Sequence, residues 1–288
     1  MSAFVLKLLA LLSMVVDHTA AVLLYASPLY DPLRAFGRMA FLVYAFFLAE
    51  GFRHTRSAPK YALRLAVMGL ISTIPYCFTI NKYFDFWTRV RSLNIYFTLA
   101  WGVVLMLLLR WDTPHLRGWK RLAGLAPLAL ILPVFLQFGV WELTQLIAVL
   151  LLVGGIGLLS GTKLPPWCRQ IGDWAWKTAA FLILYQLIHE WTGIEVEYSY
   201  TALFLFALLW LCRNKWQSAA VLAAAALWMY PPAWDMGQTI GALLAAVLVL
   251  FYNGRRGPDD HRLFYWAYPA HLTVLWAISA LTVYTTFV

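Results

Sequence analysis

Lys7, Asp17, His18 and Arg38 are the residues near the start of the chain whose types and spacing point to chemistry. An imidazole with a near-neutral pKa works as a general base or as a transient acyl carrier. His18 sits beside Asp17 in the middle of an apolar stretch running from Ala3 to Ala26. There an ionisable side chain such as Asp costs about 2.5–3.5 kcal/mol, so it marks a site and needs a partner. Arg38 enters the next apolar run within about one helical turn of the same depth. Pairing of Asp17 with Arg38 leaves His18 oriented but free, because adjacent helical residues point about 100° apart. Asp17 then supports a neighbouring helix while His18 faces a cavity. Lys7 precedes His18 by eleven positions, a rotation only about 20° past three full turns. The two share one face, about 16 Å apart along the axis. That spacing suits an elongated anionic donor from the cytosol, its phosphates at Lys7 and its reactive end at His18.

Other polar groups fall where helices must hold them. Glu50 closes the second apolar run and is followed by Arg53, His54, Arg56, Lys60 and Arg64. Arg56 and Lys60 read as a stop-transfer cluster, whereas Glu50 pairs with Arg53 or Arg64 or faces the donor site. Asn94 and Thr98 stand four apart on one helical face, the usual setting of interhelical hydrogen bonds. In "FYNGRRGPDDHR", Asn253-Gly254 makes a turn and Arg255-Arg256 offers donors for phosphate. Pro269 and His271 lie inside the last apolar run, where a lone histidine among aromatics is more often structural. Gln145, Gln186, His189, Glu190 and Gln238 read as an acceptor vestibule or an interface.

The elements that position these groups are membrane spans. The chain is 62% hydrophobic and 12% charged, against about 25% charged in soluble domains. Apolar runs of spanning length recur throughout. They fall near 5–25, 35–52, 61–80, 93–109, 122–138, 141–159, 174–190, 199–212, 217–230, 236–252 and 264–286. The expectation is an all-α polytopic transmembrane bundle of ten or eleven spans, residues 1–288 forming one membrane-embedded domain. Asp17-His18 would interrupt a signal peptide's apolar region, so the first run reads as an uncleaved helix. With the N-terminus inside, seventeen Lys and Arg lie on the inner side against five outside, which orients the N-terminus to the cytoplasm. The net charge of +9 belongs to these loops and gives no reason to expect nucleic acid. Cys77, Cys168 and Cys212 lack metal-type spacing and read as buried hydrophobes; no metal is expected.

The segments "LALLSMVVDHTAAVLL", "LRAFGRMAFLVYAFFLAEGFRHTRSAPKYALRL", "LNIYFTL", "LVLFYNGRRG" and "YWAYPAHL" together resemble the TraX family, membrane acetyltransferases of conjugative pilus systems. The first hundred residues and the last forty carry the specific part, and residues 110–235 are only generically hydrophobic. TraX proteins are distantly similar to the large transmembrane acyltransferase group, whose first helix carries a basic residue and a histidine with ten residues between them. Lys7 and His18 have that spacing. The resemblance implies a bacterial inner-membrane enzyme that takes acetyl-CoA from the cytoplasm and acetylates an amino or hydroxyl group on a pilin or other envelope molecule. The shared face of Lys7 and His18 and the matching depth of Arg38 give the expected roles: His18 is base or acetyl carrier, and Asp17 and Arg38 orient it. Lys7, Glu50, Arg53, Arg64, Asn253, Arg255 and Arg256 are expected at the donor site, while Asn94, Thr98 and His271 are expected to help stabilise the developing oxyanion.

Two rivals use the same residues. A secondary transporter or channel would make them a substrate or proton path, although the chain has no internal repeat and no paired broken helices. A non-catalytic assembly factor for pili or envelope polymers needs no chemistry at all.

Overall fold

The computed structural model describes residues 1–80, 90–111, 141–159, 165–258 and 261–286. Its helices are α1 (Ala3–Leu23), α2 (Tyr30–Gly37), α3 (Met39–His54), α4 (Ala58–Thr79), α5 (Ile95–Arg110), α6 (Trp141–Leu159), α7 (Pro166–Thr192), α8 (Ser199–Leu211), α9 (Lys215–Met229), α10 (Met236–Leu250) and α11 (His261–Thr286). The expected all-helical architecture holds, and most spans match the expected runs closely. The expected run 122–138 lies outside the described residues, as do Lys82, Arg89, Arg117, Lys120, Arg121 and Lys163 of the charge count.

Local chemistry sets the helix starts. Ser2, Ser57, Asn94, Asn214 and Asp235 each occupy an N-cap and accept a first-turn backbone N–H, which satisfies a donor the helix cannot. Gly193 ends α7 at φ +66°, a left-handed conformation that costs glycine little.

Among the described residues, three stretches are long and apolar enough to cross a membrane: α1, the run Tyr30–His54 formed by α2 and α3, and α4. Shorter apolar helices include Ile95–Arg110, Ser199–Leu211 and Met236–Leu250. On α4, Leu63, Val67, Leu70, Ile71, Ile74 and Phe78 are exposed, one helical stripe that suits hydrocarbon rather than water. In contrast α3 is buried nearly all round, from Met39 to Phe52, and is the centre of the bundle. Around it, α1 packs on α2, α3 and α11, while α4 packs on α5 and α11, and α10 packs on α2, α3 and α9.

Three features depart from the expected spans. The helix expected at 174–190 already begins at Pro166. The second span starts five residues early and breaks at Arg38. There the backbone N–H bonds to Ala35 at 3.1 Å, and Nε takes the Arg34 carbonyl at 3.0 Å, which a regular turn would have given to the main chain. The third is a short parallel pairing of β1 (Ser92–Leu93) with β2 (Glu195–Val196). Irregular backbone of this kind is tolerated among spans when protein buries it.

The α2–α10 contact permits no side chain at Gly241, where a Cβ would lie 1.7 Å from the Ala35 carbonyl oxygen. Gly241→Ala therefore pushes α2 away, and the expected cost is about 1–3 kcal/mol, read as a lower melting temperature in detergent. An unchanged melting temperature would show that this contact does not position α2.

Candidate functional site

Asp17 is clamped by two arginines. Its Oδ2 accepts from Arg34 at 2.6 Å and its Oδ1 from Arg38 at 2.6 Å. Arg38 also lies over the Tyr230 ring, 5.6 Å from its centroid. The expected Asp17–Arg38 pair is present, and Arg34 joins it from α2. One turn before Asp17, the Ser13 hydroxyl donates to the Phe36 and Gly37 carbonyls at 2.9 and 3.3 Å. Gly37 permits this close approach, since a Cβ there would lie 2.3 Å from Asp17 Cβ. Ser13 and Asp17 thus staple one face of α1 to the α2–α3 joint and set the helix rotation.

With that rotation fixed, His18 faces α11. Its Nδ1 lies 2.7 Å from Nε2 of His271, and the rings are nearly parallel at 5.0 Å. His18 is therefore not free, as the sequence suggested, but held by a second histidine, and no hydrogen bond joins it to Asp17 among the described residues. The His271 Nδ1 lies 2.8 Å from the Ala267 carbonyl. A carbonyl only accepts, so in the neutral pair Nδ1 of His271 carries the proton and its Nε2 accepts. Nδ1 of His18 must then donate, which leaves Nε2 of His18 with its lone pair. The order carbonyl, His271, His18 fixes one tautomer, the work a third group performs in nucleophile–base–orienter triads.

Pro269 shapes the helix that delivers His271. Proline has no N–H for the carbonyl four residues back, which belongs to Tyr265. Tyr96 supplies the missing donor, its hydroxyl lying 2.7 Å from the Tyr265 carbonyl and 3.2 Å from that of Phe264. Tyr96→Phe leaves that carbonyl unsatisfied, at an expected cost of about 1–3 kcal/mol. The check is a lowered melting temperature, which Tyr96→Phe alone should produce among conservative replacements on this face of α5.

A cleft enclosing about 630 Å³, part of it open to solvent, lies against Asp17 and His18. Its wall also includes Tyr44, Phe264, Glu197 and Tyr268. The Lys7 ammonium is 5.1 Å from the Phe47 ring and 5.8 Å from the Phe264 ring, and the Tyr44 hydroxyl donates to its carbonyl at 3.4 Å. From α1 the cavity is lined by Met14, Asp17 and His18, and Tyr44 and Phe264 link its wall to Lys7.

Glu197, in an acidic stretch between two apolar runs, lies on the cavity wall. It stands in the connection before α8, outside the spanning helices. Burial, with Asp17 adding to it and Arg38 opposing, pushes its carboxyl up to about 7.

The remaining expected site residues are placed as follows. Asn94 caps α5 and donates to the Gly69 carbonyl at 2.8 Å, and Thr98 donates to the Glu197 carbonyl at 2.9 Å. Both are buried, both hold backbone, and neither lines the cavity. Glu50 pairs with Arg53 at 2.5 Å. Arg53 in turn donates to the Leu209 and Cys212 carbonyls at 2.6 and 2.8 Å, so it seals the end of α8 rather than standing open to a ligand. Arg64 lies over the Tyr61 ring at 5.6 Å. Asn253 accepts from the Arg255 N–H, and the Arg255 and Arg256 carbonyls accept from Ala3 and Phe4 at 2.8 and 3.1 Å. Those exposed arginines are thereby brought to the same end of α1 as Lys7. No group of three or more His, Cys, Asp or Glu that could hold a metal occurs among the described residues.

A family model described as TraX protein matches residues 2–155 and 167–279. The chain belongs to the TraX family. It is also 30% identical over 277 residues to the "Probable fimbrial assembly protein FimC, serogroup H1" of Dichelobacter nodosus, covering 95% of this chain and 94% of that protein. No solved structure matches it. Arg34 was legible as a site residue in this TraX chain, because Arg34 and Arg38 stand four apart and share a helical face. Glu197 carried no such signal.

Proposed function

We propose that this chain is an integral-membrane acetyltransferase that moves an acetyl group from cytosolic acetyl-CoA to an amino or hydroxyl group on a pilin or other envelope molecule. The observation that carries the reading is His18, left with a free Nε2 lone pair by the Ala267–His271–His18 chain, on a cavity whose wall includes Tyr44 and Phe264, the two residues that touch Lys7. The pantetheine arm of CoA is long and thin, and it suits such a cavity. Lys7, Arg255, Arg256 and Arg64 supply cationic donors at the mouth. Arg53 is left out of that set because its guanidinium already serves Glu50 and two carbonyls.

In this reading His18 Nε2 takes the proton of the acceptor as its nitrogen or oxygen attacks the thioester carbonyl. The positive charge that arises on His18 is shared with His271 through the Nδ1–Nε2 hydrogen bond. Asp17, bound to two guanidinium groups, acts through the rotation of α1 and not by contact with the imidazole. Membership in the TraX family supports the pilus context, and the fimbrial relative's name agrees with it.

That name also favours a second reading, a non-catalytic assembly factor. Purified protein in lipid nanodiscs separates the two. The expected result is acceptor-dependent release of CoA thiol from acetyl-CoA, reduced by His271→Asn through kcat more than through KM. Absence of thiol release with every envelope acceptor fraction supplied would favour the assembly factor.

A further inference from the structure

Glu197 is held with unusual care for a residue between two helices. Its N–H donates to the Leu93 carbonyl at 3.2 Å, and its own carbonyl accepts from Thr98 at 2.9 Å. The two residues that follow, Tyr198 and Ser199, have φ of +62° and +45°, a left-handed backbone that non-glycine residues adopt at a cost. Tyr198 is locked there by stacking on Phe41 at 4.1 Å. This backbone directs the Glu197 side chain to the cavity wall that it shares with His18 and Tyr268. Its Oε2 is sealed from solvent and has no hydrogen-bond partner among the described residues. A bare buried carboxylate oxygen is costly, and a proton on it removes most of that cost.

We propose that Glu197 is the general acid of the transfer, giving its carboxyl proton to the sulfur of the departing CoA. The proposal rests on the acetyltransferase reading above. The acceptor nitrogen or oxygen bonds to the acetyl carbon, and its proton passes to His18 Nε2. The C–S bond then breaks, its electron pair goes to sulfur, and sulfur takes the Glu197 proton to leave as CoA thiol. The site is left with a His18 imidazolium and a Glu197 carboxylate, and one proton passed from the first to the second restores both. No oxidant, reductant or further reactant is needed.

The charged and titratable groups around Glu197 are Asp17 and His18 from α1, Arg34 and Arg38 from α2 and the α2–α3 joint, its neighbour Tyr198, and Tyr268 from α11. With its carboxyl near 7, Glu197 holds its proton below that pH and loses it above. Turnover that needs the acid therefore falls as pH rises through about 7.

The test uses the full chain in nanodiscs with two donors, acetyl-CoA and the acetyl thioester of 5-thio-2-nitrobenzoate, whose aryl thiolate leaves without a proton. Glu197→Gln should lower kcat with acetyl-CoA by roughly 10²–10³-fold, leave KM near wild type and remove the alkaline fall. With the aryl thioester it should stay within a few-fold of wild type, and Glu197→Asp should retain part of the acetyl-CoA rate. Equal loss with both donors would make Glu197 a structural residue, and loss with neither would remove it from the reaction; each overturns the proposal. If wild type releases no CoA thiol, the acetyltransferase reading itself falls. If wild type is active, His18→Ala is dead and Glu197→Gln matches wild type, only the Glu197 assignment falls.

Discussion

His18→Ala should lower acetyl transfer by roughly 10²–10⁴-fold, the usual contribution of a positioned acid–base group. The protein should still fold, because among the described residues the imidazole makes one side-chain hydrogen bond, to His271, while the rotation of α1 is set one residue earlier by Asp17 and one turn earlier by Ser13. Initial rates of thiol release and an unshifted melting curve check both halves. A variant that transfers acetyl groups at the wild-type rate would remove His18 from the chemistry. A variant that fails to fold would mean that the histidine pair, not the Asp17 clamp, holds α1 in place. Because His271 acts through His18, His271→Ala combined with His18→Ala should be no worse than His18→Ala alone.

Asp17→Ala should be the most damaging change to stability. It leaves two guanidinium groups, largely shielded from solvent, without their counter-charge, and breaking a buried pair by deleting one partner costs about 3–5 kcal/mol. The loss should appear as a sharply lower melting temperature and poor recovery from membranes. Asp17→Asn retains the shape and one acceptor oxygen, so it should fall between wild type and Asp17→Ala. Removing all three charges at once, with Arg34→Met and Arg38→Met added to Asp17→Ala, should recover part of the lost stability, since no unpaired charge is then buried. If Asp17→Ala melts like wild type, the clamp does not set the geometry of α1. Activity should follow stability in this series, because Asp17 touches neither imidazole nitrogen by a hydrogen bond among the described residues.

The helices were legible because their apolar runs are long and are bounded by caps and charge clusters that the membrane enforces. The Asp17–Arg38 pair was legible for the same reason, since two costly groups at matching depth in adjacent spans demand one another. His271 was legible as a residue type but not as the partner of His18. More than 250 residues separate the two in the chain, and the relation depends on how α11 continues through Pro269, with Tyr96 supplying a donor that the proline lacks. Glu197 was hidden more deeply. Its loop looks like any acidic stretch between spans, and a left-handed conformation at Tyr198 and Ser199 is one that neither residue type announces. Asn94 and Thr98 do not share a helical face as their spacing suggested, because Asn94 caps α5 from extended backbone, and both bond to backbone carbonyls rather than turning to the cavity. Within a helix, spacing specifies which residues share a face, whereas the neighbouring helix decides what that face meets.

Transfer of an acetyl group from a cytosolic donor to an acceptor by way of His18 can be followed in proteoliposomes with acetyl-labelled acetyl-CoA supplied on the cytoplasmic side only. The label should appear by mass spectrometry on a pilin or envelope acceptor with wild-type protein and disappear with His18→Ala. Label that stays wholly on CoA with folded wild-type protein and acceptor present, or that reaches the acceptor equally well with His18→Ala, would contradict it.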